Sequence, residues 1–153
     1  MLVPLKQFLC DVCHELIAEP KDGYVLWKRD DHGRPFSFMI IHHVRCDLSD
    51  HGQSMELKRF VEEDGLNCLL TFLSPGPVVI NCEGKGDGSP PVADMDEFVD
   101  LIRRFQIPYY EEARQYFRDV ELTKRFSDHS PESPYRMERL QDFLDDVRKD
   151  RQK

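Results

Sequence analysis

Leu9-Cys-Asp-Val-Cys-His14 and His42-His-Val-Arg-Cys46 are the two stretches that decide the fold of this chain. In the first stretch two residues separate the cysteines, so the backbone between them must turn tightly for both sulfurs to face one metal ion. In the second stretch a histidine and a cysteine have the same spacing. Two such pairs supply the four soft or borderline ligands of a tetrahedral zinc site. The sequence therefore predicts a bound Zn²⁺ whose ligands are Cys10, Cys13, His43 and Cys46.

Two points about this site stay open in the sequence. His42 could take the place of His43, because either spacing can bring a histidine and Cys46 together at a helix start. We favour His43, since its spacing to Cys46 repeats that of the first pair. His42 then lies on the opposite face of the predicted strand and is free for another role. In the competing interpretation the cysteines are small buried hydrophobic residues and no metal binds.

The residues between the two ligand pairs predict a β-hairpin. Residues 23–28 and 36–42 are rich in β-formers, and a turn cluster at 30–35 separates them. A cysteine turn, a hairpin and a second ligand pair at a helix start resemble a treble-clef or zinc-knuckle zinc finger over about residues 8–50. Three thiolates and one imidazole fill all four coordination positions, and a catalytic zinc keeps one open. We therefore expect the zinc to be structural.

The rest of the chain predicts mainly helices. Apolar side chains recur with helical spacing from Asp94 to Phe105, and Pro108 and Ser133 suit the starts of two further helices. Between the hairpin and these helices we expect a helix at 54–63, a helix at 65–73, a short strand at 78–81 and a flexible loop at about 83–93.

These elements predict an α+β fold, in which an N-terminal zinc-bound β-hairpin packs on a mainly α-helical bundle. We divide the chain into a zinc-binding module, residues 1–53, and a helical region, residues 54–153, which pack as one compact unit. With 40% hydrophobic residues the chain can form a genuine core.

Charge and cysteine usage limit the partners and the compartment. The formal net charge is -8, so a basic surface for a nucleic-acid backbone is not expected. No stretch has the length of apolar sequence that a membrane helix needs, and no secretory leader is evident. We therefore expect a cytoplasmic protein with reduced thiols, which favours metal binding over disulfides.

One enzymatic alternative deserves a test. His42 at a strand end, followed by a helix that contains Asn67, is similar to the degenerate pattern of a His-Asn-His metal-dependent nuclease. That resemblance implies a general-base histidine and a catalytic divalent metal. The acidic composition argues against it, because such an enzyme must hold phosphate.

Other conspicuous residues have ordinary structural interpretations. Cys68 lies in an apolar run, Cys82 precedes the glycine-rich loop, and the glycines at 84–88 lack the spacing of a phosphate-binding loop. The tyrosines at 109, 110 and 116 could form a partner-binding face or could pack in a core. The favoured function is a small cytosolic zinc-binding protein that acts as a protein-interaction or regulatory module, with a protein partner and no catalytic residue.

Overall fold

A computed structural model of the chain describes residues 1–46, 48, 52–83, 88–126 and 130–151, with the backbone alone at 81–83. The strands are β1 (Phe8–Leu9), β2 (Leu16–Ile17), β3 (Gly23–Arg29), β4 (Pro35–His42) and β5 (Gln53–Glu56). The helices are α1 (Lys58–Val61), α2 (Gly65–Thr71), α3 (Gly76–Glu83), α4 (Met95–Gln106), α5 (Tyr110–Ala113), α6 (Val120–Thr123) and α7 (Met137–Arg151). The fold is thus mixed α and β, as the sequence predicts. None of the helices in the described ranges is both long and apolar enough to cross a membrane.

The predicted hairpin is confirmed, and it belongs to a larger sheet. Strands β3 and β4 pair antiparallel from Gly23↔His42 to Arg29↔Pro35, with an irregularity between Leu26 and Lys28. Strand β5 pairs with the other edge of β3, so the order is β4-β3-β5. The expected helix at 54–63 was therefore wrong in its first half: residues 53–56 form a strand, and only α1 follows. This short segment forms a strand because β3 supplies backbone groups for hydrogen bonding. The sequence of the segment does not reveal that β3 lies beside it.

The first hydrophobic core lies between this sheet and helices α1, α2 and α4. Helix α4 is confirmed, and the Asp94 side chain caps it by accepting a hydrogen bond from the Glu97 N–H at 3.0 Å. Aromatic rings make up much of this core: the ring of Phe38 contacts those of Phe72 and Phe98 at centroid distances of 5.4 and 5.3 Å. The largest fully buried side chains of this core are Phe8, Ile17, Leu26, Ile40, Ile41, Leu57, Phe60, Leu69, Phe98 and Leu101.

A second, smaller core follows in the C-terminal part of the chain. Its fully buried members are Tyr110, Ala113, Leu140, Phe143, Leu144 and Val147. The helix expected to run on from Pro108 is broken: α5 ends at Ala113, and a 3-10 turn, Arg114–Tyr116, replaces its continuation. Tyr110 is buried in this core, with Tyr109 and Tyr116 packed against it. The interpretation of the tyrosines as core residues is the one the packing supports.

The packing does not separate the zinc-binding module from the helical region at residue 53. The predicted boundary coincides with the start of β5, and the first core includes residues from Phe8 to Phe105. The strand expected at 78–81 is wrong, because these residues lie within α3. Pro77 suits the first turn of a helix, and no strand of the described residues pairs with this segment. Of the loop expected at about 83–93, residues 84–87 lie outside the described residues.

A buried ion pair joins the two cores. Arg104, at the end of α4, donates hydrogen bonds from Nε and Nη2 to the two carboxylate oxygens of Glu111 in α5, at 2.7 and 2.9 Å. The same carboxylate accepts the Leu9 N–H at 2.9 Å. Both charged side chains are almost fully buried. Because water is excluded, each charge depends on its partner, and strand β1 is held to both helices.

Replacing Glu111 by alanine tests whether this ion pair stabilises the fold. The change leaves the buried Arg104 guanidinium without its main counter-charge, and loss of one partner of such a pair costs about 3–5 kcal/mol. We expect the free energy of unfolding, measured by urea denaturation and circular dichroism, to fall by that amount. Glu121→Ala is the matched control, because Glu121 pairs with Lys124 at the exposed surface and such pairs contribute about 1 kcal/mol or less. Equal effects of the two changes would contradict the assigned role of Glu111.

Candidate metal centre

The first ligand pair lies on a tight turn after β1. The His14 N–H donates to the Cys10 carbonyl at 2.9 Å, which closes the turn, and His14 has a left-handed backbone with φ of 60°. The turn is held on β4 by two hydrogen bonds, from the Asp11 N–H to the Ile40 carbonyl and from the Ile40 N–H to the Asp11 carboxylate, at 2.8 and 2.7 Å. The sulfurs of Cys10 and Cys13 consequently face the end of β4.

The second ligand pair lies at the end of β4 and in the turn that follows it. The His43 N–H donates to the Asp22 carbonyl at 2.8 Å, and the chain then reverses through Val44 to Cys46. Val44 has a φ of 64°, an unfavourable conformation for a β-branched residue, and it is 78% exposed. Packing of its side chain therefore does not hold this strained turn. Strain of this kind is often found where a bound group fixes the backbone.

The structure brings four ligand atoms together. Single ligand atoms of Cys10, Cys13, His42 and Cys46 all lie within 4.8 Å of one another. The Nδ1 atom of His42 is 3.4 Å from the sulfur of Cys13 and 3.9 Å from that of Cys46. In a tetrahedral zinc site, bonds of roughly 2.3 Å to sulfur and 2.0 Å to nitrogen place these atoms about 3.6 Å apart. The cluster thus has the size and donor atoms of a metal site.

Of the four predicted ligands, the structure brings together the three cysteines but not His43. The His43 ring packs edge-on against the Tyr24 ring, with centroids 4.6 Å apart, and His42 occupies the fourth place in the cluster. The Nε2 atom of His42 lies 3.1 Å from the Leu16 carbonyl, which can only accept a hydrogen bond. Nε2 therefore carries a proton that this carbonyl accepts, and in the neutral ring Nδ1 is the atom left to bind a metal. A backbone acceptor of this kind commonly orients a metal-binding histidine.

The thiols of the cluster differ in their affinity for protons. Burial raises the pKa of the Cys10 thiol, but hydrogen bonds from the backbone N–H groups of Cys13, His42 and Val12 lower it, and the pKa lies at about 6. Burial raises the pKa of the Cys46 thiol, and hydrogen bonds with the sulfurs of Cys13 and Cys10 raise it further, to about 11. Without a metal, the cluster therefore stabilises one thiolate and keeps another thiol protonated. A divalent cation that binds all three sulfurs must displace that proton.

Two arginines bind the carboxylate of the first cysteine turn. Asp11, between the two cysteines, accepts hydrogen bonds from Arg104 Nη1 at 2.6 Å and from Arg114 Nη1 at 3.2 Å. Burial raises the pKa of the Asp11 carboxyl, but the charge and hydrogen bonds of Arg104 and the charge of Arg114 outweigh this effect, so the pKa lies below its ordinary value. The aspartate stays ionised, and it connects the turn to the ion pair of Arg104 and Glu111.

These charged contacts were not predicted from the sequence, although the sequence holds one signal of them. Arg104 lies three residues after Leu101 and next to Phe105, on the face of α4 that is buried. A charged residue on the apolar face of a helix indicates a buried partner, and the partner here is Glu111. The other residues singled out in the sequence lie elsewhere: Cys68 packs against the first core, Asn67 is exposed on α2, and the side chain of Cys82 lies outside the described residues.

Comparisons with known proteins add no family to this picture. No protein-family model, no curated protein and no solved structure matches the chain. The interpretation of the cluster therefore rests on its residues and their geometry.

Exchanging each histidine for alanine identifies the ligand. Loss of a residue that only hydrogen-bonds a metal ligand weakens metal binding by roughly 10–100-fold. We expect His42→Ala to weaken it by more than this, because the variant lacks the proposed coordinating nitrogen. We expect His43→Ala to keep the affinity within about threefold, since its ring packs on Tyr24 and lies outside the cluster. Titration of the two variants with Zn²⁺ against a chromophoric chelator measures both affinities. The reverse pattern would show that His43 is the ligand.

Proposed function

We propose that this chain is a small zinc-binding protein with a structural zinc, which acts in the cytoplasm as a protein-interaction or regulatory module. The observation that carries the proposal is the closed cluster of Cys10, Cys13, His42 and Cys46. Four protein ligands fill a tetrahedral shell and leave no position for water or substrate. A metal bound in this way stabilises the fold, and its chemistry is not available to a reaction.

The donor set favours zinc among the common divalent metals. Three thiolates and one imidazole nitrogen are soft or borderline ligands, whereas magnesium, calcium and manganese prefer oxygen. The fourth ligand would be the Nδ1 atom of His42, which is aimed at the sulfurs by the hydrogen bond from Nε2 to the Leu16 carbonyl. The same arrangement argues against the nuclease alternative. With both ring nitrogens engaged, His42 has none left to act as a general base.

Exposed aliphatic side chains support a protein partner. On α2, Leu66 and Leu70 are 51% and 49% exposed, and on α3 Val78 is 76% exposed. Leu66 and Leu70 are four residues apart and share one face of the helix. From Gly76 to Ile80, the part of α3 with described side chains, no residue is fully buried. Exposed apolar surface is typical of protein–protein contacts, and a net charge of -8 disfavours nucleic acid.

The first test of this proposal is metal content. We expect the chain, purified without chelator, to hold about one zinc ion per molecule by elemental analysis. Cys13→Ser should lose the metal and unfold at lower temperature, because metal binding contributes directly to folding. Cys68→Ser is the matched control, since Cys68 lies outside the cluster. A metal-free wild-type protein, with a melting temperature that added zinc does not change, would contradict the proposal.

The second test concerns the partner. We expect the tagged, zinc-loaded chain to capture a reproducible partner from an extract of its own cells, and Leu70→Ser/Val78→Ser to lose it. The matched control is Val120→Ser/Met137→Ser, which changes two other exposed apolar residues and should keep the partner. Mass spectrometry with quantification against bait-free beads measures the capture.

Two results would count against an interaction module, one from the capture experiment and one from a separate nuclease assay. One is a partner that both double variants retain or lose equally, because the exposed residues of α2 and α3 would then play no part. The other is metal-dependent cleavage of DNA or RNA by the wild-type protein that disappears in His42→Ala. That activity would favour the nuclease alternative.

A further inference from the structure

A cleft of about 400 Å³ opens beside the metal centre. The first cysteine turn, β4, α4 and the 3-10 turn after α5 form its walls. Asp11 and the buried Arg104 lie at its base, and Leu9, Phe38 and Leu101 supply apolar surface. Volumes of this order are typical of sites for small molecules.

The acidic residues that line the cleft already have donors within the protein. Both oxygens of Asp11 accept hydrogen bonds, from Ile40 and Arg104 and from Arg114. The two oxygens of Glu97 accept the backbone N–H groups of residues 37 and 38, at 2.8 and 2.9 Å. Asp100 accepts the hydroxyl of Tyr110 and forms an ion pair with Arg114. These carboxylates therefore have little need of a ligand cation.

The basic residues that line the cleft have N–H groups that are not used in hydrogen bonds within the protein. Arg104 makes four hydrogen bonds through its five N–H groups, so within the described residues one N–H on Nη1 has no acceptor. The Nη2 group of Arg114 donates no hydrogen bond in the described part of the chain, where Arg114 bonds to Asp11 through Nη1. Arg118 is exposed at the rim and contacts no acidic side chain among the described residues. The groups of the cleft that remain free to form hydrogen bonds with a ligand are therefore N–H donors.

We propose that this cleft binds a small organic anion, with a carboxylate or phosphate group held by Arg114 and Arg118 and an apolar part against Leu9, Phe38 and Leu101. The guanidinium group matches both kinds of oxyanion, since its N–H groups form paired hydrogen bonds with two oxygens. The apolar wall explains why the ligand is an organic anion and not a bare ion. The site is separate from the surface proposed for a protein partner, and each can fail without the other.

Long-range attraction contributes little to this binding. The lining residues include three carboxylates, Asp11, Glu97 and Asp100, and three guanidinium groups, Arg104, Arg114 and Arg118. Their formal charges cancel, and the whole chain carries -8. Recognition therefore depends on hydrogen bonds made inside the cleft, so the affinity should change little with salt above about 150 mM, where the Debye length is roughly 8 Å.

Calorimetric titration of the zinc-loaded full chain tests the proposal with four probes. Benzoate and phenyl phosphate carry the two anionic groups on the same ring, inorganic phosphate lacks the ring, and benzyl alcohol lacks the charge. We expect saturable binding of benzoate or phenyl phosphate, at least about tenfold tighter than either control. The tighter of the two identifies the ligand as a carboxylate or as a phosphate ester.

Two arginine variants then locate the binding site. Arg118→Gln should weaken binding of the preferred probe by about tenfold or more, because a charge-assisted hydrogen bond is lost, and it should leave zinc content unchanged. Arg59→Gln removes the same charge from an exposed arginine that does not line the cleft and should leave the affinity unchanged. Absence of binding by both anions, equal binding of inorganic phosphate or benzyl alcohol, or equal effects of the two variants would overturn the proposal.

Discussion

The buried network of Asp11, Arg104 and Glu111 is the interaction on which the arrangement of this protein depends. Arg104 belongs to α4 in the first core, Glu111 to α5 in the second, and Asp11 to the turn between two candidate metal ligands. Charges without water are costly unless they are paired with opposite charges and held by hydrogen bonds. The three elements must therefore meet in one geometry. That geometry sets the position of the cysteine turn and forms the base of the proposed anion site.

The candidate metal centre and the ion network stabilise the same turn from two sides. On one side the Asp11 carboxylate binds two arginines, and on the other the sulfurs of Cys10 and Cys13 face His42 and Cys46. Each ligand pair has one strained residue, since His14, which follows Cys13, and Val44, which lies between His42 and Cys46, have left-handed φ values. A metal ion that binds all four ligands would hold these conformations, and its loss should release them. Metal binding and folding are then one equilibrium.

Some elements of the fold could be predicted because their own residues determine them. Helix α4 has a capping aspartate and an apolar stripe, and β3 and β4 are β-rich runs on either side of a turn. Strand β5 and helix α3 could not be predicted in this way. The mostly polar residues 53–56 form a strand because β3 lies beside them. The β-branched residues of α3 are helical, and within the described part of the chain no strand pairs with them.

By itself, the sequence determined that Cys10 and Cys13 lie together, because the Cys-x2-Cys spacing brings two sulfurs to one local turn. Only the tertiary structure decided that Cys46 and His42 lie beside them. His42 shares a strand face with Ile40, which is buried, and its ring reaches the cysteines, while the ring of His43 packs on Tyr24. The ion network likewise depends on the tertiary structure, since Asp11, Arg104 and Glu111 lie in separate segments of the chain. Spacing along the chain defines a local pair of ligands, but contacts between distant segments depend on how the whole chain packs.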